Sequence, residues 1–404
     1  MGSIVIIGAG QAGVQAAASA RAAGHAGPIT LIGEERYPPY QRPPLSKSYL
    51  QGELELSRLY LKPSNFFDKS AIALRLRSRV VAIDRPGKQV ALASGELIPY
   101  DRLLIATGAP PRRLNVPGAD LAGVHYLRSV EDCDALRPEF AQGARLLVVG
   151  AGYIGLEVAA SARKAGLKVT IVEALHRPLA RVAGPEVSDY FAELHRRHGV
   201  DLRFGASVEG FEGRGKVEAA VFKGGEAIAC DAAVIGIGAV PATALAETAG
   251  LKTDDGVVVD KRAQSADPAI WAAGDCTSFP SPLYGRRMRL ESVPHAIEQA
   301  RVAGAVMAGT EAIYDAVPWF WSDQYHVKLQ TAGVSDGADR TVLRRTPGSE
   351  SASVWYFKND VLIAVDAMND VPAFAWGKRL IAAKARPDPK TLADTAADLK
   401  SLLA

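Results

Sequence analysis

The chain has 404 residues, 48% of them hydrophobic and 23% charged, a composition that predicts two or three globular domains and excludes extensive disorder. Its formal net charge of +3 is too small to indicate nucleic-acid binding. No apolar stretch approaches the length that crosses a bilayer, and the first predicted strand leaves no room for a signal peptide, so we expect a cytoplasmic protein without membrane contact.

The first predicted elements are a strand, a glycine turn and a helix. An apolar run over residues 3–7 leads directly into Gly8-Ala9-Gly10-Gln11-Ala12-Gly13, and an alanine-rich helix is predicted from Ala12 to Ala23. Glycines at this spacing let the backbone approach a pyrophosphate closely, while the N-terminus of the helix faces the negative charge. The opening of the chain therefore predicts a dinucleotide-binding fold.

A second predicted strand, Ile29–Ile32, brings an acidic residue to the position where such folds bind a ribose hydroxyl. We assign this role to Glu34, with Glu35 as the alternative. A proline-rich loop follows over residues 37–47, and its prolines exclude a helix and stiffen the chain around two basic residues.

The opening pattern occurs a second time in the middle of the chain. An apolar strand at Arg145–Val149 leads into Gly150-Ala151-Gly152-Tyr153-Ile154-Gly155, and a helix is predicted through Ala165. The next strand, Lys168–Val172, ends in Glu173 at the distance expected for a ribose-binding acid. One such motif is weak evidence, but two complete units in one chain predict two dinucleotide-binding folds.

The other predicted elements are shorter. Strands are expected at Val80–Asp84, at Gln89–Leu92, at Arg102–Ala106 before Thr107 and Gly108, in alternating segments from Val217 to Ile237, and at Ile270–Ala273 before Gly274 and Asp275. A helix is expected from Pro294 to Met307, because proline suits a first helical turn. Beyond Pro318 we expect a small α/β domain, with a hairpin of Ser353–Lys358 and Val361–Val365 and helices at Ala373–Ala383 and Lys390–Leu403.

Cysteine and histidine spacing predicts no metal site. Cys133, Cys230 and Cys276 lie far apart and form no Cys-x-x-Cys pair, so they indicate neither a disulfide framework nor a metal cage. The seven histidines show no spacing typical of metal ligands.

Several of these motifs together resemble one family of flavoproteins. The stretches that carry the resemblance are residues 42–47 (Arg-Pro-Pro-Leu-Ser-Lys), 152–157 (Gly-Tyr-Ile-Gly-Leu-Glu), 274–276 (Gly-Asp-Cys), 291–294 (Glu-Ser-Val-Pro) and 318–325 (Pro-Trp-Phe-Trp-Ser-Asp-Gln-Tyr). They are similar to those of the FAD-dependent NADH:ferredoxin reductases of bacterial cytochrome P450 and aromatic-ring dioxygenase systems. The similarity covers nearly the whole chain and becomes loose beyond about Ala373.

The resemblance implies an α/β architecture with two Rossmann-like domains and a small C-terminal domain. It implies an FAD-binding domain split into residues 1–110 and 238–317, an NAD-binding domain at residues 111–237, and a C-terminal domain at residues 318–404. FAD and NADH are the implied cofactors. A monomer is the implied assembly.

The resemblance also implies the cofactor-binding residues. For FAD they are Gly8, Gly10, Ala12 and Gly13 at the pyrophosphate, Glu34 and Arg42 at the adenosine, Asp275 at the ribityl chain, and Lys47, Val80, Ala106, Thr107, Gly108, Arg128, Gly274, Val293 and Trp319 as further contacts. For NADH they are Gly150, Gly152, Tyr153, Ile154, Gly155, Glu173 and Gly238.

Lys47 and Glu157 are the implied catalytic pair, placed near the nicotinamide. From the residues alone, Lys47 is as readily a surface lysine, and Glu157 an ordinary first-turn carboxylate favoured by the helix dipole. Trp319 is likewise as readily a core residue. Glu173 favours NADH over NADPH, because a carboxylate repels a 2′-phosphate, although the nearby His176 and Arg177 could tolerate one.

The implied activity transfers electrons from NADH through FAD to a [2Fe–2S] ferredoxin that supplies an oxygenase. The implied docking surface contains Arg301, and the nearby Arg286, Arg287 and Arg289 form a second basic cluster that could share it. A flavin disulfide reductase or NADH oxidase is disfavoured, because residues 34–101 contain no redox cysteine. A non-catalytic NADH-binding flavoprotein of the apoptosis-inducing-factor type remains the alternative.

Overall fold

The computed structural model describes residues 2–403, and the chain divides into two units, each built from three segments of sequence. The first unit contains the chain up to Gln41, Leu56–Pro110 and Val240–Ala316. The second contains Arg42–Glu55, Pro111–Ala239 and the chain from Val317 onward. The proline-rich segment that carries Lys47 therefore belongs to the second unit, although it follows the first predicted fold in sequence.

Strands and helices alternate in the manner of dinucleotide-binding folds. The strands are β1 (Ile4–Ile7), β2 (Ile29–Ile32), β3 (Ile72–Arg75), β4 (Val80–Asp84), β5 (Gln89–Leu92), β6 (Leu97–Pro99), β7 (Arg102–Ile105), β8 (Val124–His125), β9 (Arg145–Val149), β10 (Lys168–Glu173), β11 (Asp201–Phe204), β12 (Val208–Glu212), β13 (Ala219–Phe222), β14 (Ala227–Ala229), β15 (Ala232–Ile235), β16 (Val257–Val258), β17 (Ile270–Ala272), β18 (Thr277–Ser281), β19 (Arg286–Met288), β20 (Trp319–Gln324), β21 (Val327–Gly333), β22 (Arg340–Arg345), β23 (Ala352–Lys358) and β24 (Val361–Met368). The α-helices are α1 (Gln11–Ala22), α2 (Phe66–Lys69), α3 (Val130–Leu136), α4 (Tyr153–Lys164), α5 (Pro185–Arg197), α6 (Ala244–Thr248), α7 (Val293–Met307), α8 (Val371–Ala382) and α9 (Pro389–Ala393). Short 3-10 helices lie at Pro43–Ser46, Leu56–Leu59, Arg137–Glu139 and Leu399–Leu403.

A parallel sheet forms the centre of the first unit, in the order β17-β7-β1-β2-β3. All four residues of β1 are buried, as expected for a strand covered on both faces. In register, Ile4 lies opposite Ile29 on β2 and Arg102 on β7. The carboxyl ends of β1, β7 and β17 therefore meet at one edge of this sheet, which is where open α/β sheets bind ligands.

The alanine-rich helix α1 packs closely on α7 within the first unit. A Cβ atom added to Gly304 would lie 2.4 Å from the carbonyl oxygen of Ala16 and 2.9 Å from Cβ of Ser19. Small residues on both helices let the two backbones approach each other, so a larger side chain at Gly304 would separate them.

The second unit contains a parallel sheet in the order β11-β10-β9-β15-β8 and an antiparallel sheet in the order β20-β21-β24-β23-β22. The antiparallel sheet confirms the predicted hairpin, since β23 and β24 pair around Asn359 and Asp360, which both have positive φ. Trp355 and Tyr356 are buried on β23. Helix α8 covers this sheet, and a Cβ atom at Gly377 would lie 2.4 Å from Cγ1 of Val365.

The predicted helix at Lys390–Leu403 is wrong. The structure instead has the short helix α9, which ends at Ala393, and a separate 3-10 turn at Leu399–Leu403. Asp394 adopts an extended conformation, with φ −71° and ψ 109°, and so ends the helix. The Arg344 guanidinium donates to the carbonyl oxygens of Leu392, Asp394, Thr395 and Ala397, which satisfies these carbonyl groups where a continuous helix is interrupted.

The other predicted helices are confirmed within two residues at each end where both ends were predicted. Among the helices of residues 2–403, none combines the length and the apolar character that a membrane span requires.

Candidate active site

In the glycine turn after β1, a side chain would clash with the protein at two of the three glycines and would have free space at the third. Gly8 has φ +109°, and a Cβ atom there would lie 2.2 Å from the carbonyl oxygen of Ala106. A Cβ atom at Gly13 would lie 2.0 Å from the carbonyl oxygen of Gly8. At Gly10, in contrast, no atom lies within 4 Å of the added Cβ. Packing of the protein itself thus requires two of the glycines, while the third is free for the close approach of a ligand.

The start of α1 suits a phosphate group. Gly10 is the N-cap of this helix, no side chain caps it, and its first turn holds no acidic residue. Its first N–H groups and the positive end of the helix dipole are therefore available to an anion. Helices α7 and α8 differ, since the side chains of Ser292 and Asp370 cap them.

The residues after β7 and β17 lie at the same sheet edge as this turn. Thr107, between Ala106 and Gly108, donates from Oγ1 to the carbonyl oxygen of Ala242 over 2.8 Å. The N–H of Gly274 donates to Oε1 of the buried Gln299, also over 2.8 Å.

Gly274 also faces the glycine turn. A Cβ atom on Gly274 would lie 3.1 Å from Cβ of Ala12, so the two small residues permit each other. Asp275 follows directly at this edge, and Val293 is the half-buried first residue of α7. The fold thus brings together the glycine turn and the Gly-Asp segment, which are more than 260 residues apart in sequence.

The two candidate ribose-binding acids, Glu34 and Glu35, differ in exposure. The Glu34 side chain is 70% exposed, and its Oε1 lies 3.8 Å from Nε of Arg79. Glu35 is half-buried and accepts a hydrogen bond from the Tyr40 hydroxyl. Val80 is buried at the start of β4.

The second glycine turn, in the second unit, repeats this geometry. A Cβ atom at Gly150, where φ is +103°, would lie 2.4 Å from the carbonyl oxygen of Gly236, and one at Gly155 would lie 2.1 Å from that of Gly150. At Gly152 the nearest atom is 3.9 Å away. Helix α4 also begins without a side-chain cap or a first-turn acid. Both turns therefore fit the pyrophosphate of a dinucleotide.

The residues around the second turn differ in exposure. Ile154 is exposed, whereas the half-buried Tyr153 places its ring 4.4 Å from that of Phe320. Gly238 follows β15, with φ +105°, and lies beside the guanidinium of Arg181.

Glu173 holds the second glycine turn. Its Oε2 accepts from the N–H of Ala151 over 2.8 Å, and its Oε1 accepts from the N–H of Leu175 over 2.9 Å. The Arg177 guanidinium is engaged elsewhere, since it donates to the carbonyl oxygen of Ala183 and to Oγ of Ser188. Arg177 is therefore poorly placed to neutralise a 2′-phosphate.

Lys47 and Glu157 form an ion pair in the second unit. The Lys47 Nζ lies 2.6 Å from Oε2 of Glu157, and the two side chains are 19% and 2% exposed. Oε2 also accepts from the Ser46 hydroxyl over 2.5 Å, and Oε1 accepts from the Ser322 hydroxyl over 2.6 Å. The carboxylate is thus compensated by one cation and two hydroxyls, as a buried charge requires.

The loop that carries Lys47 is fastened to the second unit by its backbone. The Ser161 hydroxyl on α4 donates to the carbonyl oxygen of Ser46 over 2.8 Å. Arg42, in the same loop, donates from Nη1 to the carbonyl oxygen of Arg128 over 2.6 Å. These contacts fix Lys47 relative to the helix that begins at the second glycine turn.

Trp319 belongs to a half-buried aromatic cluster. Its ring centroid lies 5.7 Å from those of Trp321 and Phe374, and Nζ of Lys378 lies 5.4 Å from the ring centre. Such a cluster presents flat apolar surface with a cation beside it.

The predicted docking arginines are engaged with neighbours. Arg301 is exposed and pairs with Glu298 over 2.5 Å on the same helix. Arg289 pairs with Asp255 and Glu291 over 3.0 and 2.5 Å. The exposed Arg287 donates to the carbonyl oxygens of Val259 and Ser278, and Arg286 is exposed on the same strand, β19.

The three cysteines are free and buried. Burial raises the pKa of Cys133 to about 12 and that of Cys230 to about 11, and it also raises the pKa of Cys276. Nucleophilic thiol chemistry needs a lowered pKa and exposure, so none of the three suits a redox role. Across residues 2–403, no three His, Cys, Asp or Glu side chains gather as a metal site would require.

Sequence reasoning missed the two serines on Glu157. Ser46 adjoins Lys47 in the proline-rich loop, and Ser322 lies within the aromatic stretch that carried part of the resemblance. Neither position has a local signal for this role, because each contact joins segments more than 100 residues apart.

The fold and these two turns define a flavoprotein-type oxidoreductase with two dinucleotide sites. Residues 2–300 match the family described as pyridine nucleotide-disulphide oxidoreductase, and residues 319–403 match the family described as reductase C-terminal. The chain therefore belongs to the pyridine nucleotide-disulphide oxidoreductase family.

Individual relatives indicate which members of this oxidoreductase family the chain is similar to. The chain is 44% identical to rhodocoxin reductase of Rhodococcus erythropolis, over 100% of this chain and 94% of that protein. It is 41% identical to putidaredoxin reductase of Pseudomonas putida, over 100% and 97%. The crystal structure of the covalent putidaredoxin reductase-putidaredoxin complex matches with a TM-score of 0.97 at 40% identity, over 100% of this chain and 98% of that one.

Proposed function

We propose that this chain is an FAD-containing NADH:ferredoxin reductase that passes electrons to a [2Fe–2S] ferredoxin serving an oxygenase. The observation that carries the proposal is the position of the Lys47–Glu157 pair. Glu157 follows Gly155 by two residues, so the pair lies within one helical turn of the second dinucleotide turn. A fixed cation and carboxylate at that distance suit the positioning of a nicotinamide ring.

The residues of the chain supply orientation and binding. These residues would hold FAD, which when bound would supply the redox chemistry, namely uptake of a hydride and release of electrons one at a time. The protein must hold the nucleotide in a reactive orientation and exclude water, and no general acid or base is required for the hydride. Lys47 and Glu157 are proposed to hold the nicotinamide end in this orientation.

We propose a domain assignment in which each cofactor occupies one of the two glycine turns. We assign FAD to residues 1–110 and 238–317, where Gly10 is the open position, and NADH to residues 111–237, where Gly152 is open. We assign residues 318–404 to the C-terminal domain. The proposed FAD contacts are Gly8, Gly10, Ala12, Gly13, Glu34, Arg42, Lys47, Val80, Ala106, Thr107, Gly108, Arg128, Gly274, Asp275, Val293 and Trp319. The proposed NADH contacts are Gly150, Gly152, Tyr153, Ile154, Gly155, Glu173 and Gly238.

The proposed electron acceptor binds through charge. Two relatives are named for their redox partners, rhodocoxin and putidaredoxin. We propose that an acidic ferredoxin docks on a basic surface that includes Arg301, with Arg286 and Arg287 as candidates. Arg289 contributes less, because two carboxylates already neutralise it. A monomer in the cytoplasm, where NADH is available, fits this role.

Cytochrome c reduction tests the proposal. The purified holoprotein is supplied with NADH and cytochrome c, with and without a [2Fe–2S] ferredoxin. We expect rapid reduction only when ferredoxin is present. A rate that does not depend on ferredoxin would contradict the proposed acceptor.

A further inference from the structure

A chain of buried polar side chains ends at Glu157. Ser322 and Gln324 alternate on β20, so both project from the same face of the strand, and both are completely buried. His195 on α5 is also completely buried. All of these residues belong to the second unit.

The hydrogen bonds of this chain are continuous. The Ser322 hydroxyl lies 2.6 Å from Oε1 of Glu157, and Nε2 of Gln324 donates to the same hydroxyl oxygen over 3.2 Å. Oε1 of Gln324 lies 2.9 Å from Nε2 of His195. Nδ1 of His195 lies 3.3 Å from the Tyr325 hydroxyl.

The chemistry of the groups fixes one direction for these bonds. A carboxylate only accepts, so the Ser322 hydroxyl donates to Glu157 and uses a lone pair to accept from Gln324. The Gln324 oxygen then needs a donor, which makes His195 the Nε2–H tautomer. Burial lowers the pKa of His195 to about 4 and raises that of Tyr325, so the imidazole is neutral and the phenol keeps its proton to donate to Nδ1.

Every donor in the chain thus points toward Glu157. Hydrogen bonds aligned in one direction polarise one another, and the strongest bond is the one that reaches the anion. The carboxylate is held from this side at Oε1 and from the Lys47 side at Oε2.

We propose that Ser322, Gln324 and His195 are positioning residues that set the orientation of the Glu157 carboxylate toward the dihydronicotinamide ring. This inference rests on the proposed function, in which Glu157 and Lys47 orient the nucleotide. All three residues are completely buried, so they act through Glu157 and not by contact with the nucleotide. They keep the carboxylate plane fixed, so that Lys47 and the nucleotide meet it in one geometry.

A double-mutant cycle tests the coupling. Flavin reduction by NADH is followed anaerobically by stopped flow in the wild type, Ser322→Ala, Glu157→Gln and the double variant. We expect Ser322→Ala to lower the limiting rate about tenfold in the wild-type background, the scale of a lost hydrogen bond to a charged group. In the Glu157→Gln background it should have almost no further effect, because the group to be positioned is already changed.

Two further variants separate positioning from folding. Ser353→Ala is the matched control. Ser353 is also a fully buried serine of the same sheet, and its side chain makes two hydrogen bonds, but it is not part of the hydrogen-bonded series that ends at Glu157. It should leave the rate unchanged. Ser322→Thr keeps the hydroxyl and should restore most of the rate. If Ser322→Ala does not fold, Gln324→Met removes the next link with similar volume and takes its place.

A spectroscopic readout does not depend on turnover. In protein labelled with ¹⁵N-histidine, the resonances of His195 should show the Nε2–H tautomer at neutral pH. Glu157→Gln should shift them, because the anion at the end of the chain is lost, and Ser353→Ala should not.

The outcomes are distinguishable. An equal effect of Ser322→Ala in both backgrounds, or an Nδ1–H tautomer at His195, would overturn the positioning role. A normal rate in Glu157→Gln alone would overturn the proposed role of Glu157 and leave the reductase intact. Absence of flavin reduction by NADH in the wild type would overturn the proposed function itself.

Discussion

Lys47 and Glu157 meet at 2.6 Å, although one lies in a proline-rich loop and the other on the helix that follows the second glycine turn. Glu157 is 2% exposed, so its charge depends on this lysine and on the hydroxyls of Ser46 and Ser322. The pair joins the loop of residues 42–55 to the predicted NAD-binding fold. The pair should therefore affect both the stability of the fold and, in the proposed function, the reduction of the flavin by NADH.

Lys47→Met should destabilise the protein by about 3–5 kcal/mol, because it leaves a buried carboxylate without its cation. Urea unfolding measures the change. Adding Glu157→Gln should recover part of the loss, since a neutral amide needs no cation. A double variant less stable than Lys47→Met alone would contradict the ion-pair account. Both variants should also slow flavin reduction by NADH.

Gly10→Ala and Gly13→Ala should affect different properties: the first should weaken FAD binding and the second should lower folding stability. A Cβ at Gly13 meets backbone at 2.0 Å, so Gly13→Ala should cost about 1–3 kcal/mol or more of folding stability even without cofactor. A Cβ at Gly10 meets no protein atom, so Gly10→Ala should fold normally but retain less FAD after gel filtration. Unfolding curves of the apoproteins and the flavin-to-protein absorbance ratio check this. Normal FAD retention in Gly10→Ala would show that the pyrophosphate does not approach this turn.

Glu173→Gln should erode a preference for NADH over NADPH by about tenfold, the scale of a lost charge-assisted interaction. The glutamine can still accept from one of the two N–H groups that now bind the carboxylate, so the turn should survive. Steady-state kcat/KM with both nucleotides gives the ratio. Arg177→Gln is the control: Arg177 donates to Ala183 and Ser188, and its loss should leave the ratio unchanged. Equal efficiency of the wild type with both nucleotides would refute the role of Glu173.

Asp366 should make stability depend on pH. It is 1% exposed and accepts from the hydroxyls of Thr331 and Tyr356, and burial raises its pKa to about 6. Since the folded protein keeps this proton to a higher pH than the unfolded chain does, stability is lost as pH rises from about 4 to about 6, by about 3 kcal/mol in all. Asp366→Asn should therefore gain stability relative to the wild type over that interval. A difference between the two proteins that does not change with pH would contradict the assignment.

The sequence predicted those helices and strands whose ends are marked by residues next to them in the chain. An apolar run that ends at a glycine turn marks both ends of a buried strand, and β1 and β9 were placed correctly for that reason. The break at Asp394 was not predicted, because it depends on carbonyl groups bound by Arg344, some 50 residues away. The pairing of Ser46 and Ser322 with Glu157 was invisible for the same reason. Contacts between distant segments leave no periodic signal in the sequence.

Arg301→Glu should raise the KM for ferredoxin severalfold and leave flavin reduction by NADH unchanged. The new carboxylate would lie beside Glu298 and replace attraction by repulsion. In the wild type, ferredoxin-dependent turnover should fall as salt rises through roughly 0.05 to 0.3 M, because screening then acts within about 10 Å. Ferricyanide turnover, which needs no docking, is the control. Slower flavin reduction in Arg301→Glu would place this arginine at the cofactor site instead.

In the proposed reaction, NADH reduces the bound flavin in the first half and ferredoxin oxidises it in the second. An anaerobic titration of the purified yellow protein with NADH, followed by addition of oxidised ferredoxin, tests both halves in one cuvette. We predict that about one equivalent of NADH bleaches the flavin absorbance within seconds and that ferredoxin restores it. Slow bleaching, with no recovery on addition of ferredoxin, would contradict the account and favour a non-catalytic NADH-binding flavoprotein.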